Sequence, residues 1–500
     1  MDAFAGEIHT YKDRPTGSQQ STQSALALAF ETIAEVRSGM VRIQEGRRKW
    51  WVLAAMGGVL GLVLLDETVV GVALPTLRVD LGMSTVTSHW VVNAYLLVFA
   101  GLVAFGGKLG DVAGHKALFF VGVGVFGLAS LAAGFADHSA WLITARGVQG
   151  VGAAVIFPAS LAMITIVFPE RQRGLALGIY GAIGGLFLVS GPLIGGFFTE
   201  VVSWRWIFWI NLPLVTAIAL IVVAAWQEPP RHEAPSGIDY FGLVALVLGL
   251  STLVFAIMQG SVWGWGAAAT LALLTLGMVA IVAFVIIERR VKEPLIDIDL
   301  LGNATFAGCN LVIFQGQFNR ITGVIFGALY LQDVLDMNPL QAGVALLPAV
   351  VPGPFAAVLA GRLADRCSVR VLSLSALLVT AAALVWIAWA VSLRDYRLLA
   401  PALAVWVFCQ PFLLAPTRRT VMGAVGAEKR GAASGIAFSA QTLGGTIGMA
   451  VGGTVLTMTG KFSMVFLTNA VLVLAVLAIG YFTIERHDRA HGPGEQRSEA

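Results

Sequence analysis

Runs of about 20 apolar residues, separated by short polar stretches, follow one another along most of the chain. A helix needs about 20 such residues to cross a hydrocarbon core about 30 Å thick. The pattern predicts fourteen spanning helices, at approximately 50–74, 88–106, 117–136, 140–168, 174–198, 206–226, 239–258, 265–287, 304–331, 342–360, 371–391, 398–415, 431–459 and 462–483. The tenth is the weakest assignment, because it contains Pro348, Pro352 and Pro354, and a membrane tolerates a broken helix there if neighbours satisfy the freed carbonyls.

Composition agrees with this pattern. Hydrophobic residues make up 57% of the 500 residues and charged residues only 12%, whereas ordinary domains have about 25% charged residues. Such a chain could not build a water-exposed surface, which excludes soluble, disordered and nucleic-acid-binding proteins. The 57 glycines and 18 prolines favour interrupted helices over a β-barrel. We therefore predict an all-α protein embedded in the lipid bilayer.

Lysine and arginine are concentrated in alternate loops. If the N-terminus is cytoplasmic, 25 of the 32 lysines and arginines lie in inner segments and 5 in outer loops. Cytoplasmic loops carry such an excess. We therefore predict an even number of spans, both termini in the cytoplasm and a multi-pass protein of the cell membrane. The alanine, glycine and arginine usage hints at a GC-rich bacterial source.

The first 49 residues divide in two, and no secretory signal is expected among them. Residues 1–24 are polar, and we expect them to be disordered. Apolar residues then recur at helical spacing: Ala29, Ile33, Val36, Met40 and Ile43. Three interpretations stay open: an amphipathic helix on anionic lipid, a helical leader without specific function, or a protein that starts at Met40.

The spans form an internal repeat. A short glycine-to-aspartate loop follows the second span (Gly107–Asp111) and a similar loop follows the tenth (Gly361–Arg366). Two nearly equal sets of six spans separated by two extra spans are typical of parallel repeats in membrane transporters. We predict a cytoplasmic segment 1–49, a six-helix bundle 50–226, a two-helix insert with linkers 227–303, a second bundle 304–483 and a cytoplasmic tail 484–500.

Four charged residues lie inside predicted spans: Asp66, Glu67, Arg146 and Arg320. Each costs about 2.5–3.5 kcal/mol or more at a helix centre, so function is the first explanation. At about 1.5 Å per residue, Asp66 and Arg146 lie roughly 8–12 Å below one surface and could meet. A carboxylate that exchanges a proton beside a guanidinium could couple protons to motion; a static pair would only orient helices. The partner of Arg320 stays open between Asp66, Glu67, a backbone carbonyl and an anionic substrate group.

Glycine-rich segments suggest places where helices touch or bend. Arg146, Gln149 and Gly150 share one face of the fourth span. The fifth span, from Gly181 to Gly196, combines closely spaced glycines with a proline. A hinge for alternating access or simple close packing would both give this pattern. The loop after the second span could latch the inner side through Asp111 or only set topology, and its repeat favours the latch. The predicted gating residues are Gly107, Asp111, Gly114, Lys116, Gly361, Asp365, Gly191, Pro192 and Gly195.

Aromatic and amide side chains inside the spans could line a cavity for a small molecule. Such mixed linings suit large amphipathic ligands, although each residue alone could instead join helices. The predicted substrate-binding residues are Trp90, Asn93, Gln149, Phe157, Gln315, Asn319, Arg320, Trp406, Gln410 and Gln441.

Motifs of other functional classes are missing from the sequence. It has no phosphate-binding loop for ATP and no His-Glu-x-x-His or Gly-x-Ser-x-Gly signature. Its three cysteines give neither a disulfide framework nor metal-ligand spacing. We therefore expect neither an enzyme nor a cofactor or metal site.

Several of these segments together resemble the major facilitator superfamily, and more narrowly its fourteen-span drug:proton antiporters. Leu65–Pro75 is similar to the family's first-span signature, with Gly71 where asparagine is usual. Gly107–Lys116 is similar to its inner-loop gating signature, with valine and histidine in place of two arginines. The remaining segments that resemble the family are Arg146–Gly150, Gly181–Gly196, Trp204–Pro213 and Trp263–Trp265.

The resemblance implies two six-helix bundles with a two-helix insert, and proton-coupled export of drugs or other amphipathic molecules by alternating access. It implies that Asp66, either alone or together with Glu67, carries the proton and that Arg146 tunes its transfer. The expected partners are a small-molecule substrate, protons and lipid, with no nucleic acid. Two alternatives stay open: a dedicated exporter of one metabolite such as a self-made antibiotic, and a non-transporting membrane sensor.

Overall fold

The computed structural model describes residues 45–227, 239–291, 294–364, 367–425 and 430–484. The predicted amphipathic segment before Glu45 and the predicted gating residue Asp365 lie outside these ranges. The described part is almost entirely helical. Its first seven α-helices are α1 (Glu45–Asp80), α2 (Thr85–Ala113), α3 (His115–Gly134), α4 (Ser139–Val167), α5 (Glu170–Phe197), the short α6 (Trp206–Trp209) and α7 (Asn211–Ala225).

The chain continues through a helical hairpin into a second group of helices. The hairpin consists of α8 (Tyr240–Trp263) and α9 (Ala268–Glu288). The second group is α10 (Ala304–Asp333), α11 (Pro339–Ala345), α12 (Pro352–Ala364), α13 (Val369–Leu393), α14 (Tyr396–Gly423), α15 (Arg430–Thr459) and α16 (Phe462–Thr483). Below, "first half" means α1–α7 and "second half" means α10–α16.

Equivalent helices of the two halves pack on equivalent partners. In the first half α1 packs on α5 and α7, and α3 packs on α4; in the second half α10 packs on α15 and α16, and α13 packs on α14. This correspondence supports the internal repeat that the sequence indicates.

Helix covers each of the fourteen apolar segments. Within the described ranges, twelve helices are long and apolar enough to cross a membrane. The other two long helices, α10 and α15, carry more polar and small residues, so fourteen crossings stay a prediction. The tenth segment is broken: α11 ends at Ala345, a 3-10 turn covers Leu347–Ala349 and α12 begins at Pro352.

The hairpin lies beside the seam between the halves. Helix α8 packs on α9 and also contacts α2 of the first half and α15 of the second. A small apolar cluster joins these helices, with Leu97 from α2, Leu250 from α8 and Ala450 from α15. The hairpin is therefore attached to both halves along one side.

The two halves close on each other at one end of the molecule. Arg78 at the end of α1 forms an ion pair with Asp333 at the end of α10, at 2.9 Å, and Gln332 Nε2 donates to the Val72 carbonyl at 2.8 Å. At the same end, α5 packs closely on α11, so a side chain added at Gly196 would collide with the backbone of Pro339. We call this the sealed end.

Towards the opposite end, several glycines of α5 face open space. The α1–α10 contacts that the structure gives begin at Glu67 with Arg320 and continue to the sealed end. Along α5, a side chain added at Gly174, Gly178, Gly181 or Gly185 would meet no atom within 4 Å. In contrast, Gly191 and Gly195 pack directly on α1, at Thr68 and Val69. We call this space the inter-half crevice.

Candidate functional site

Asp66 and Arg146 meet inside the first half, as their depths predict. Arg146 Nη1 lies 2.6 Å from Asp66 Oδ2, and each residue is 1% exposed. The helices that carry them, α1 and α4, are in direct contact. Separating a buried pair leaves an uncompensated charge, which costs about 3–5 kcal/mol. A change in the charge of either partner must therefore alter the local structure.

Amide and hydroxyl groups complete the hydrogen bonds of this pair. Gln149 accepts from Arg146 Nη1 at 2.6 Å and donates to Asp66 Oδ1 at 2.8 Å. Ser130 accepts from Gln149 Nε2 at 3.1 Å and from Asn211 Nδ2 at 2.8 Å. The network therefore joins α1, α3, α4 and α7. Gln149, predicted to bind substrate, is fully buried beside the ion pair.

Sequence reasoning did not single out Ser130 or Asn211. Both are completely buried. Asn211 is the polar residue that follows the aromatic run Trp206–Trp209, and an amide in such a position was the available signal. Ser130 offered no such signal, because a serine among alanines and leucines is common in spanning helices.

A tyrosine covers the guanidinium of Arg146. The Cζ atom of Arg146 lies 4.5 Å from the ring centre of Tyr95, a cation–π distance. Arg146 Nε also donates to the Val91 carbonyl at 3.0 Å. The arginine is thus held by α2 as well as by Asp66, and it keeps partners when the carboxylate is neutralised.

Glu67, the next residue along α1, forms an ion pair with the second half. Arg320 Nη2 of α10 lies 2.6 Å from Glu67 Oε2 and 2.8 Å from Glu67 Oε1. Consecutive helical residues point about 100° apart, so α1 directs Asp66 into the first half and Glu67 across the seam. Of the partners left open for Arg320, the structure selects Glu67.

A chain of polar contacts leads from this pair into the inter-half crevice. Gln317 donates to Glu67 Oε1 at 3.1 Å and accepts from Arg320 Nε at 3.0 Å. Gln441 Nε2 donates to Gln317 Oε1 at 3.3 Å, and Arg418 Nη2 donates to Gln441 Oε1. Gln441 and Arg320, both predicted to bind substrate, therefore belong to one line of contacts together with Arg418, which the sequence did not indicate.

Other predicted substrate-binding residues lie in different surroundings. Asn93 donates to the sulfur of Met258, and Trp90 lies 5.5 Å from the ring of Phe255, so both face α8. Phe157 stacks on Phe438 of the other half at 4.0 Å. The remaining four, Gln315, Asn319, Trp406 and Gln410, are buried within the second half. Their roles in binding stay predictions.

Buried amides in the second half differ in how many hydrogen-bond partners they have. Gln315 donates to Asn319 at 3.3 Å and to Asn469 at 3.0 Å, which ties α10 to α16. Both amide atoms of Gln410 and the indole nitrogen of Trp406 have no hydrogen-bond partner among the described residues. Gln410 therefore differs from Gln315, whose amide is held by two neighbours.

The predicted gating residues fall into two groups. Gly191, Pro192 and Gly195 lie where α5 packs on α1 and near α11. The others lie at the opposite end: Gly107 beside Pro158, Gly361 in open space, and Gly114, which separates α2 from α3 with a φ of 91°. That φ explains why glycine is needed between the two helices. Asp111 and Lys116 lie on the adjacent ends of α2 and α3.

Comparison with known proteins identifies the family. A model of the Major Facilitator Superfamily matches residues 56–296 and 308–499. The chain belongs to this superfamily. It is a multi-pass membrane transporter of small molecules and not an enzyme.

The alignments with three curated relatives cover most of each relative and most of this chain. A puromycin resistance protein of Streptomyces alboniger is 35% identical over 82% of both chains. A cephamycin export protein of Amycolatopsis lactamdurans is 36% identical over 80% of this chain and 83% of its own. A tetracenomycin C resistance and export protein of Streptomyces glaucescens is 30% identical over 82% of this chain and 76% of its own.

A solved structure shares the fold. A bacterial homologue of the human lysosomal transporter Spinster, in an inward-facing and unoccupied conformation, superposes with a TM-score of 0.65. It is 16% identical and covers 87% of this chain and 97% of its own. This likeness agrees with the major facilitator fold predicted from the sequence.

Proposed function

We propose that this protein exports antibiotics or other amphipathic small molecules across a bacterial cell membrane in exchange for protons. The observation that carries the proposal is the completely buried Asp66–Arg146 pair with its network of hydrogen bonds. A carboxylate in such a position can hold a proton away from bulk water. The names of three relatives, which refer to resistance or export, support the direction of transport.

The proton step takes place at Asp66. A proton from outside binds a carboxylate oxygen of Asp66 and makes the side chain neutral. Arg146 then loses its charged partner and keeps Gln149, the Val91 carbonyl and the Tyr95 ring. Release of the proton to the cytoplasm restores the ion pair. Proton and substrate need no shared residue, because each can act through one conformational equilibrium.

Alternating access follows from the two ends of the molecule. With both termini in the cytoplasm, the inter-half crevice opens inward and the sealed end faces outward. Export requires the sealed end to open and the crevice to close. In this scheme the bundles 50–226 and 304–483 rotate, the insert 227–303 accompanies them, and the predicted gating glycines allow α5 to slide on α1.

A dedicated exporter of one antibiotic made by the same cell is the second candidate. The observation in its favour is that two relatives are named for the export of single compounds, tetracenomycin C and cephamycin. Biosynthetic genes for one small molecule beside the gene for this protein would favour this candidate over a broad multidrug pump.

Replacing Asp66 tests the proposed function. We expect Asp66→Asn to abolish gradient-driven export while the protein still inserts, because asparagine keeps the shape but cannot exchange a proton. The measurement is accumulation of a panel of cationic dyes and antibiotics in efflux-deficient bacteria, with and without a protonophore.

The control variant is Asp137→Asn, which changes a carboxylate on the exposed α3–α4 loop. It should export like wild type. Normal protonophore-sensitive export by Asp66→Asn, at equal membrane levels, would refute the role of Asp66. No export of any compound by wild type would refute broad drug export.

A further inference from the structure

Arg418 lies between the halves, on the open side of the Glu67–Arg320 pair. It is on the last turns of α14, which ends at Gly423. Its guanidinium contacts Gln441 of α15, and Gln441 in turn donates to Gln317, which donates to Glu67 of the first half. Arg418 is nevertheless an exposed residue. An exposed side chain with protein on both sides lines the inter-half crevice.

Arg418 differs from Arg146 and Arg320 in the partner that it contacts. Arg146 neutralises Asp66, and Arg320 neutralises Glu67. Arg418 has no acidic partner among the described residues; its hydrogen-bond acceptor is the neutral amide of Gln441. Among the residues that the structure describes, no carboxylate neutralises Arg418, so its guanidinium can attract an anionic group.

This distribution changes which arginine matters for a ligand. From the sequence, Arg320 is the residue that suggests an anionic substrate. In the structure both carboxylate oxygens of Glu67 bind its Nη2 atom, so Arg320 needs no anion from a ligand. Arg418 instead offers a guanidinium towards the crevice, and a guanidinium can bind a carboxylate through two parallel hydrogen bonds.

We propose that Arg418 binds an acidic group, of the carboxylate class, on the molecule that this protein transports. Gln441 borders the same position, since its Oε1 accepts from Arg418 Nη2. When the acid binds, Gln441 is released from Arg418 and keeps its contact with Gln317. The preferred substrates are therefore zwitterions or acids with an amphipathic body. This inference rests on the proposed export function.

A pair of dyes that differ only at a carboxyl group tests the proposal. Rhodamine 110 has a free carboxylate, and rhodamine 123 is its methyl ester. Binding of each dye to the purified full-length protein is measured by fluorescence polarisation without any gradient. We expect wild type to bind the acid at least about tenfold more tightly, the effect of one hydrogen-bonded charge. Arg418→Gln should remove this preference and Arg418→Lys should keep part of it.

The adjacent arginine provides the matched control. Arg419 points elsewhere, since its Nη1 donates to the Ala364 carbonyl at 2.8 Å. Arg419→Gln removes the same charge from the next position and should leave the acid preference unchanged. Equal binding of the two dyes by wild type, no binding of either, or an acid preference that survives in Arg418→Gln would overturn the proposal.

The result can be separated from the proposed function. A binding preference that depends on Arg418 would support the acidic subsite even when no gradient-driven flux is found. Conversely, proton-driven export of the esterified dye without any acid preference would support export and refute the subsite.

Discussion

Two adjacent carboxylates on one helix face opposite halves of the molecule, and each has its own arginine. Asp66 pairs with Arg146 within the first half, and Glu67 pairs with Arg320 across the seam. The first pair is enclosed, whereas the Arg320 side chain is 15% exposed and borders the inter-half crevice. The enclosed pair suits proton storage, and the pair across the seam suits the joining of the halves.

Removing one partner of the cross-seam pair should cost more than removing both. We expect Glu67→Gln to lower the free energy of unfolding by about 3 kcal/mol, because Arg320 is left without a charged partner in a largely buried position. The double variant Glu67→Gln with Arg320→Gln should recover part of this loss. Thermal unfolding of the purified protein in detergent measures both changes.

The exposed pair at the sealed end is the comparison for this experiment. Arg78 and Asp333 also join the two halves, but their side chains are 27% and 25% exposed. Arg78→Gln should therefore cost no more than about 1 kcal/mol. Equal losses for Glu67→Gln and Arg78→Gln would contradict a special role for the buried pair.

The sequence predicted some residue contacts and not others. Depth along two apolar helices was enough to bring Asp66 and Arg146 together. The partner of Arg320 could not be chosen, because depth alone does not say which face of α1 meets α10. Arg418 went unnoticed because it lies near a helix end, where an arginine usually only marks the cytoplasmic side.

At the scale of helices, close contacts at glycines decide how α5 lies on α1. A side chain at Gly191 would collide with Thr68, and one at Gly195 would meet the Val69 backbone at 2.8 Å. Nearer the start of the same helix, a side chain added at Gly185 would meet no atom within 4 Å. The glycine-rich segment therefore includes both tightly packed and open positions.

Alanine substitutions along α5 should separate these positions. We expect Gly191→Ala to reduce export at least about tenfold, because its methyl group has no room and α5 must shift relative to α1. Gly185→Ala is the control and should export like wild type. The measurement is initial dye efflux at matched protein levels. Unchanged efflux by Gly191→Ala would mean that the contact does not matter for transport.

Helix positions were predictable because apolar length alone defines a spanning segment. The neighbours of each helix were not predictable, because a helix with apolar residues on all sides has no preferred packing face. Trp90 and Asn93 illustrate the limit: the sequence places them on the second span, but only the structure shows that they face the insert. The ends of α1 also extend beyond the apolar run, to Glu45 and Asp80.

At the scale of the whole molecule, the sealed end predicts a conformation that can be trapped. We expect cysteines placed at Arg78 and Asp333, joined by a short bifunctional reagent, to stop export because the halves can no longer part at that end. The background carries Cys367→Ser, since Cys367 is exposed. Dye efflux before and after cross-linking, and after cleavage of the reagent, gives the measurement.

Each single-cysteine protein treated in the same way is the control and should continue to export. Full export by the cross-linked double variant would mean that the sealed end does not open during transport. The reagent should also react only from outside intact cells if the sealed end faces outward, which tests the proposed orientation.

The polarity of α10 has a consequence for how the protein is made. The ribosome synthesises Arg320 253 residues after Glu67, in a long helix outside the twelve that are apolar enough to cross a membrane alone. In the predicted fourteen-span arrangement, the translocon admits α10 while the first half is already in the bilayer and can supply a carboxylate. We therefore expect the earlier completion of α1 to assist insertion of the second half, and the two gene halves expressed separately to lose this assistance.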